Sequence, residues 1–280
     1  MTLAEVLRGA TEYLEARGVP TPRVDAEILL SHALGLSRIE LYTQHDRPLT
    51  DAERADAREF VRRRGTREPL AYVVGEWGFR RLVLKTDARA LVPRPETETV
   101  VERCLARLEG KESPRVLDVG TGSGAIALAI AQEHPGADVT GTDLSQAAVE
   151  LATENATTLE LPVEFRHGDL LAGAEGPFDL IVSNPPYVHA EELPALEPEV
   201  REHEPRDALV DEGQTERLAR AARDVLDGWL VLEVHEAHAN DVLTVLTTLS
   251  YADGRITRDL AGRDRVVEAA WQTTTPSNRR

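Results

Sequence analysis

The chain has 280 residues, 41% of them hydrophobic, with 32 basic against 49 acidic side chains and a formal net charge of −17. That length and apolar content support one large or two modest domains with a buried core, and that charge argues against a non-specific grip on DNA, RNA or an anionic membrane. A single cysteine, Cys104, excludes an intrachain disulfide and fits a reducing compartment.

Residues 1–74 read as a helical domain. Leu3, Val6, Leu7, Ala10 and Leu14 recur at helical spacing, and Val24 to Leu34 repeats the pattern after Gly18, Pro20 and Pro22. This amphipathic start carries acids and lacks the basic and apolar regions of a signal peptide, so a cytoplasmic protein is expected. A third helix should begin after Thr50, capped by its hydroxyl with Glu53 three residues on. It runs through Arg62-Arg63-Arg64, expected to be a solvated helix end where cations suit the dipole. No catalytic constellation lies here, which suggests a docking domain or a structural cap.

Residues 75–92 read as a hairpin linker, with Val83, Leu84 and an Asp87-Ala88-Arg89 turn. Residues 93–280 form the main domain. Pro93-Arg94-Pro95 stops any strand, and Glu96 to Leu108 reads as a helix. From Arg115 strands and helices alternate: RVLDVG, GAIALAIAQEH, ADVTGTD, SQAAVELATENA with Ser145 as cap, VEFRHGD, PFDLIVSN, a long acidic loop, TERLARAARDVL and WLVLEVH. The alternation predicts an α/β fold with a mostly parallel sheet covered on both faces. GRITRDL and RDRVVEAAWQT close it as two strands joined by a tight turn.

Two turns carry the chemistry. Asp118-Val119-Gly120-Thr121-Gly122-Ser123-Gly124 follows the first strand of the alternation, where glycines let the backbone approach a ligand. The letters Gly120-x-Gly122-x-x-Ala125 also fit a dinucleotide fingerprint, and Asp143 after the second strand suits ribose hydroxyls in either case. Asp169 follows the third strand, where it could receive an adenine amino group. Asn184-Pro185-Pro186-Tyr187 follows the fourth. Acids and an Asn-Pro-Pro-Tyr turn at successive strand ends look like a class I S-adenosylmethionine methyltransferase with a Rossmann-like fold, and acids suit a sulfonium better than the phosphates of NAD. In such a turn the Asn184 side-chain oxygen and the Pro185 carbonyl can accept the two hydrogens of a planar NH2 group. Pro186 stiffens the turn, and Tyr187 offers a flat face to an amide or a base. The turn alone does not choose between these acceptors. A DNA adenine methyltransferase must flip its base and hold phosphates, which the charge disfavours.

The chain resembles the PrmC/HemK family of release factor glutamine methyltransferases nearly end to end. The resemblance rests on Glu68-Pro69-Leu70-Ala71-Tyr72 with Gly75 and Phe79, on Leu91-Val92-Pro93-Arg94-Pro95-Glu96-Thr97-Glu98, on Asp118 to Gly124 and on Asn184 to Tyr187. It continues through Glu204-Pro205-Arg206 with Ala208-Leu209 and Asp264-Arg265-Val266-Val267. His203, Asp207, Arg81 and His235 depart from the family's usual residues. The resemblance implies a class I fold with an antiparallel final strand, and methylation of the side-chain amide of the glutamine in the Gly-Gly-Gln loop of peptide chain release factors. It implies S-adenosylmethionine held by Gly120, Thr121, Gly122, Ser123, Gly124, Asp143, Asp169, Leu170 and Asn184, leaving S-adenosylhomocysteine as product. Asn184, Pro185, Pro186 and Tyr187 would hold the glutamine. The N-terminal helices would help dock the release factor, with no DNA, membrane or metal involved and a monomer expected. Rival readings are a glutamine methyltransferase acting on a large-subunit ribosomal protein, and a non-catalytic cofactor-sensing partner of translation.

Overall fold

A computed structural model of the protein describes residues 1–171 and 173–272. Its helices are α1 (Leu3–Glu15), α2 (Pro22–Leu34), α3 (Arg38–Thr43), α4 (Asp51–Gly65), α5 (Leu70–Val74), α6 (Thr97–Leu108), α7 (Ala125–Glu133), α8 (Gln146–Leu159), α9 (Pro198–His203), α10 (Gln214–Ala222) and α11 (Ala239–Thr248). Its strands are β1 (Glu76–Phe79), β2 (Leu82–Lys85), β3 (Arg115–Val119), β4 (Asp138–Asp143), β5 (Glu164–His167), β6 (Phe178–Ser183), β7 (Leu226–Glu233), β8 (Ala252–Arg258) and β9 (Asp264–Trp271). The chain divides into two compact units. One is Met1–Trp77 with Leu196–His203, and the other is Gly78–Ala195 with Glu204 onward.

Side-chain caps and apolar stripes both favour helix in the first unit. Thr2 with Glu5, Ser37 with Glu40 and Thr50 with Glu53 form reciprocal capping boxes on α1, α3 and α4. Leu3, Leu7, Leu14, Leu29, Leu30, Leu41 and Val61 meet in one core. The short α3 was not expected from the sequence, since six residues show too little periodicity.

The basic run at the end of α4 corrects the expectation of a solvated helix end. Arg62 fits it, pairing with Glu59 on the surface. Arg63 instead grips Glu68 at 2.5 Å and the Val73 carbonyl. Arg64 is buried, donating from Nε to Asp25 Oδ2 at 2.7 Å and from Nη1 to Glu199 Oε1 at 2.8 Å. Arg67 adds 2.7 and 2.5 Å contacts to Glu199. A buried carboxylate needs such pairing, and Glu199 lies on α9. Charge therefore binds into the helical unit a segment that the sequence places in the long acidic loop.

The second unit is built on a seven-stranded sheet in the order β5-β4-β3-β6-β7-β9-β8. Strands β3 to β7 pair in parallel, and β9 runs antiparallel to both β7 and β8. Alternate positions feed opposite faces, as a pleated strand requires. Val116, Leu180, Val182 and Val231 join the core that includes α6 and α7 residues. Leu117, Val119, Ile181, Leu230 and Leu232 join the core on the other face.

Two expectations need correcting in this unit. The hairpin turns at Arg80-Arg81 between β1 and β2, with Arg80 at φ +51°; the Asp87-Ala88-Arg89 turn follows β2 separately, closed by Ala90 N–H to the Asp87 carbonyl. Helix α11 lies in a stretch where the sequence suggests no element. Its Val and Thr content is poor for helix formation, yet Thr244, Thr247 and Thr248 hydroxyls bond back to carbonyls four residues earlier and Leu246 is buried. Packing against the sheet overrides the propensity.

Candidate active site

The glycine turn begins where β3 ends. Gly120 and Thr121 N–H groups both donate to the Thr142 carbonyl, at 2.8 and 2.9 Å, which ties the turn to β4. Gly120 and Gly122 have φ of +71° and +58°, a region that disfavours residues with a Cβ. A Cβ on Gly120 would meet only the Ser183 hydroxyl at 4.0 Å and one on Gly122 only the Ala90 Cβ at 3.7 Å, ordinary contacts, so the positive φ and not crowding calls for glycine at both. Gly124 differs: at φ +84° its Cβ would meet Leu128 and Phe165 at 3.0 Å, so this glycine allows close packing.

Two acids organise the turn. Asp143, at the end of β4, accepts the Gly122 N–H at 2.8 Å on Oδ2 and the Ser145 N–H at 2.8 Å on Oδ1. Burial nonetheless raises its pKa above the ordinary carboxylate range. Asp118 is fully buried on β3. Its Oδ2 accepts the Thr121 hydroxyl at 2.7 Å and the Ala127 N–H at 3.2 Å, while Oδ1 has no partner. Burial pushes it up to about 7, the two donors opposing and Asp143 adding to the rise.

The acceptor turn is placed by strand register. β3 and β6 are parallel with Val119 opposite Ser183, and the Ser183 hydroxyl donates to the Val119 carbonyl at 2.6 Å. Gly120 and Asn184 are therefore the next residues off the carboxyl ends of adjacent strands, the usual ligand edge of such sheets. Pro185 is buried; Asn184, Pro186 and Tyr187 are half-buried. Beyond the turn, Val188 donates to the Leu209 carbonyl and accepts from Asp211 N–H, which pins the exit. Burial, then the nearby Glu233, raise the Tyr187 hydroxyl pKa. The Tyr187 and His235 rings stand 6.1 Å apart.

The structure thus brings Gly120 to Gly124, Asp143 and Asn184 to Tyr187 to one edge of the sheet. Leu170 reaches that edge too, since its carbonyl accepts the Thr142 hydroxyl at 2.9 Å. Asp169 stands apart: half-exposed, its carboxylate takes Arg217 at 2.6 Å. An adenine amino group would have to share it. Bare backbone at Gly120 and Gly122, beside the buried Asp118 and the half-buried Asp143, fits a cationic adenosyl cofactor.

Several residues that support the site were given no structural role from the sequence. Asn155 on α8 is buried and bonds the Ser123 carbonyl at 2.9 Å and both backbone groups of Lys85. Glu204, buried, takes both oxygens to Arg94 Nη2 at 2.6 and 2.7 Å, which fixes the segment before α6. Glu233, 1% exposed, ends β7. Only Glu233 carried a local signal, an acid closing the apolar run Trp229-Leu230-Val231-Leu232; Asn155 and Glu204 sit among other polar residues and had none.

Two family descriptions match the chain: the PrmC N-terminal domain over residues 5–75 and the methyltransferase small domain over residues 100–215. A release factor glutamine methyltransferase of Deinococcus radiodurans is 44% identical over 277 residues, covering 96% of this chain and 98% of its own. One from Rhodopirellula baltica is 40% identical over 281 residues, covering 95% of each. Among solved structures, a methyltransferase from Pyrococcus furiosus superposes with a TM-score of 0.52 at 19% identity, over 68% of this chain and 89% of that one. Its likeness speaks for the class I methyltransferase fold.

Proposed function

The chain belongs to the release factor glutamine methyltransferase family, and from that premise we propose that it transfers a methyl group to the side-chain amide nitrogen of the Gly-Gly-Gln glutamine in peptide chain release factors. The observation that carries the reading is the register of β3 and β6, which sets Asn184 beside Gly120. A donor site and an NH2-binding turn then share one edge. Bound S-adenosylmethionine would supply an electrophilic methyl group on a positively charged sulfur.

The chain's own residues do the rest. Gly120 to Gly124 offer backbone without side chains in the way, and Asp143, steadied by Gly122 and Ser145, faces ribose hydroxyls. Thr121, Ser123, Leu170 and Asn184 complete the lining. Asp169 reaches the adenine amino group only in competition with Arg217. The Asn184 side-chain oxygen and the Pro185 carbonyl accept the two amide hydrogens. That aims the nitrogen and favours the positive charge that grows on it. Pro186 fixes the turn, and Tyr187 lies flat against the amide. The helical unit is the docking element for the release factor.

The test is label transfer from methyl-labelled S-adenosylmethionine to a purified release factor and, in parallel, to ribosomal subunits. Label on the release factor alone supports the reading. Label on a ribosomal protein alone moves the substrate to the translation machinery's other glutamine, with the same chemistry.

A further inference from the structure

Methyl transfer to an amide leaves a proton to be placed. The nitrogen–carbon bond forms as the carbon–sulfur bond breaks, its electron pair staying on sulfur. An N–H bond must then break, its pair staying on nitrogen. Asn184 and Pro185 offer neutral oxygens, which hold hydrogens but do not keep a proton.

Glu233 stands at the right place. β7 pairs in parallel with β6, with Leu232 opposite Ser183, so Glu233, the last residue of β7, stands level with Asn184, the first residue beyond β6. Glu233 is 1% exposed, and its Oε2 is buried without a hydrogen-bond partner. A buried carboxylate normally has a cation or donors of its own. The charged groups around this one are committed elsewhere. Arg94 is held by Glu204 at 2.6 Å, Arg265 by Asp259 at 3.5 Å and by the Val234 carbonyl at 3.1 Å, and Glu96 by Arg263 at 3.0 Å. From α6 the buried Thr97 hydroxyl lies toward Glu233 but outside good hydrogen-bond geometry; from the acceptor turn comes Tyr187.

We propose that Glu233 is the proton acceptor of the methyl-transfer reaction, taking within the protein the proton shed at the Asn184-Pro185-Pro186-Tyr187 turn. The charges balance: a sulfonium, a neutral amide and a carboxylate become a thioether, an N-methylamide and a carboxylic acid, which returns its proton to water after product leaves. Burial pushes Glu233 up to about 7, the range suited to a base at neutral pH. Its active form is the carboxylate, so activity falls as pH drops through that value.

This inference rests on the proposed amide methylation, and wild-type turnover on a release factor, measured first, tests that reading separately. With turnover established, kcat and KM are measured against pH for wild type, Glu233→Gln and Glu233→Asp, together with cofactor dissociation constants. Wild-type kcat should fall about tenfold per pH unit on the acid side. Glu233→Gln should lose roughly 10²-fold or more in kcat and lose the acid limb, with KM and cofactor affinity within about twofold. Glu233→Asp should recover part of the rate and the limb. Independently of turnover, the infrared difference between wild type and Glu233→Gln should show a carboxylic acid band that titrates near neutral pH. An unchanged acid limb in Glu233→Gln, an unchanged kcat, or no titrating band would overturn the proposal. So would a loss of cofactor affinity that matches the loss of rate.

Discussion

Asn184 and Asp143 sit at the same sheet edge and should fail in different ways. Asn184→Ala removes an acceptor that matters most as charge develops on the nitrogen, so kcat should drop by roughly 10²-fold. Cofactor affinity should stay within about twofold, because the glycine turn is held by Thr142 and Asp143. Asp143→Ala removes a carboxylate that also braces Gly122 and Ser145, so the cofactor dissociation constant should rise about tenfold or more. Calorimetric titration of both variants separates the roles; equal weakening by both would contradict the division. The Asn-Pro-Pro-Tyr turn was legible from residue types alone, since no other local pattern places an amide, two fixed rings and an aromatic after a buried strand. Glu233 was not. A single acid at the end of an apolar run reads as a strand terminus until the sheet order shows which turn stands beside it.

At the scale of elements, Gly124 and Arg64 are the telling positions. Gly124 starts α7 at φ +84°, with Leu128 and Phe165 against its Cα. Gly124→Ala should cost roughly 1–3 kcal/mol, read as a lower thermal midpoint, from backbone strain and contact together. Arg64 compensates two carboxylates, Asp25 and Glu199, from a buried position. Arg64→Ala should destabilise the helical unit by about 3 kcal/mol, seen as faster amide exchange in α2 and α4. Unchanged exchange would mean water replaces the arginine. The helices with caps and stripes were readable because their signals are local. The path of Leu196–His203 was not, since its place is set by charge pairing with arginines some 130 positions away in the chain. Helix α11 was hidden because its residues favour a strand locally.

For the whole molecule, the alternation of strands and helices announced the parallel sheet, while the insertion of β9 between β7 and β8 came only from the structure. The same sheet gathers Asp118 and Glu233, both pushed up to about 7 by burial. The folded state binds these protons more tightly than the unfolded chain does, where such groups titrate near 4. Their contribution to stability is therefore full below about pH 4 and is lost as pH rises through 7. Glu233→Gln should stabilise the fold relative to wild type at pH 8, by an amount on the order of 1–3 kcal/mol read as a higher thermal midpoint, and the gain should shrink at pH 5. Parallel melts at the two pH values check this; a difference independent of pH would contradict it.

The most direct measurement of the central claim is fragmentation mass spectrometry of a release factor after incubation with S-adenosylmethionine and the protein. A single added methyl should map to the glutamine side chain of the Gly-Gly-Gln peptide and should be absent with Asn184→Ala or with that glutamine changed to alanine. A methyl on another residue, or one that persists in both controls, would contradict the account.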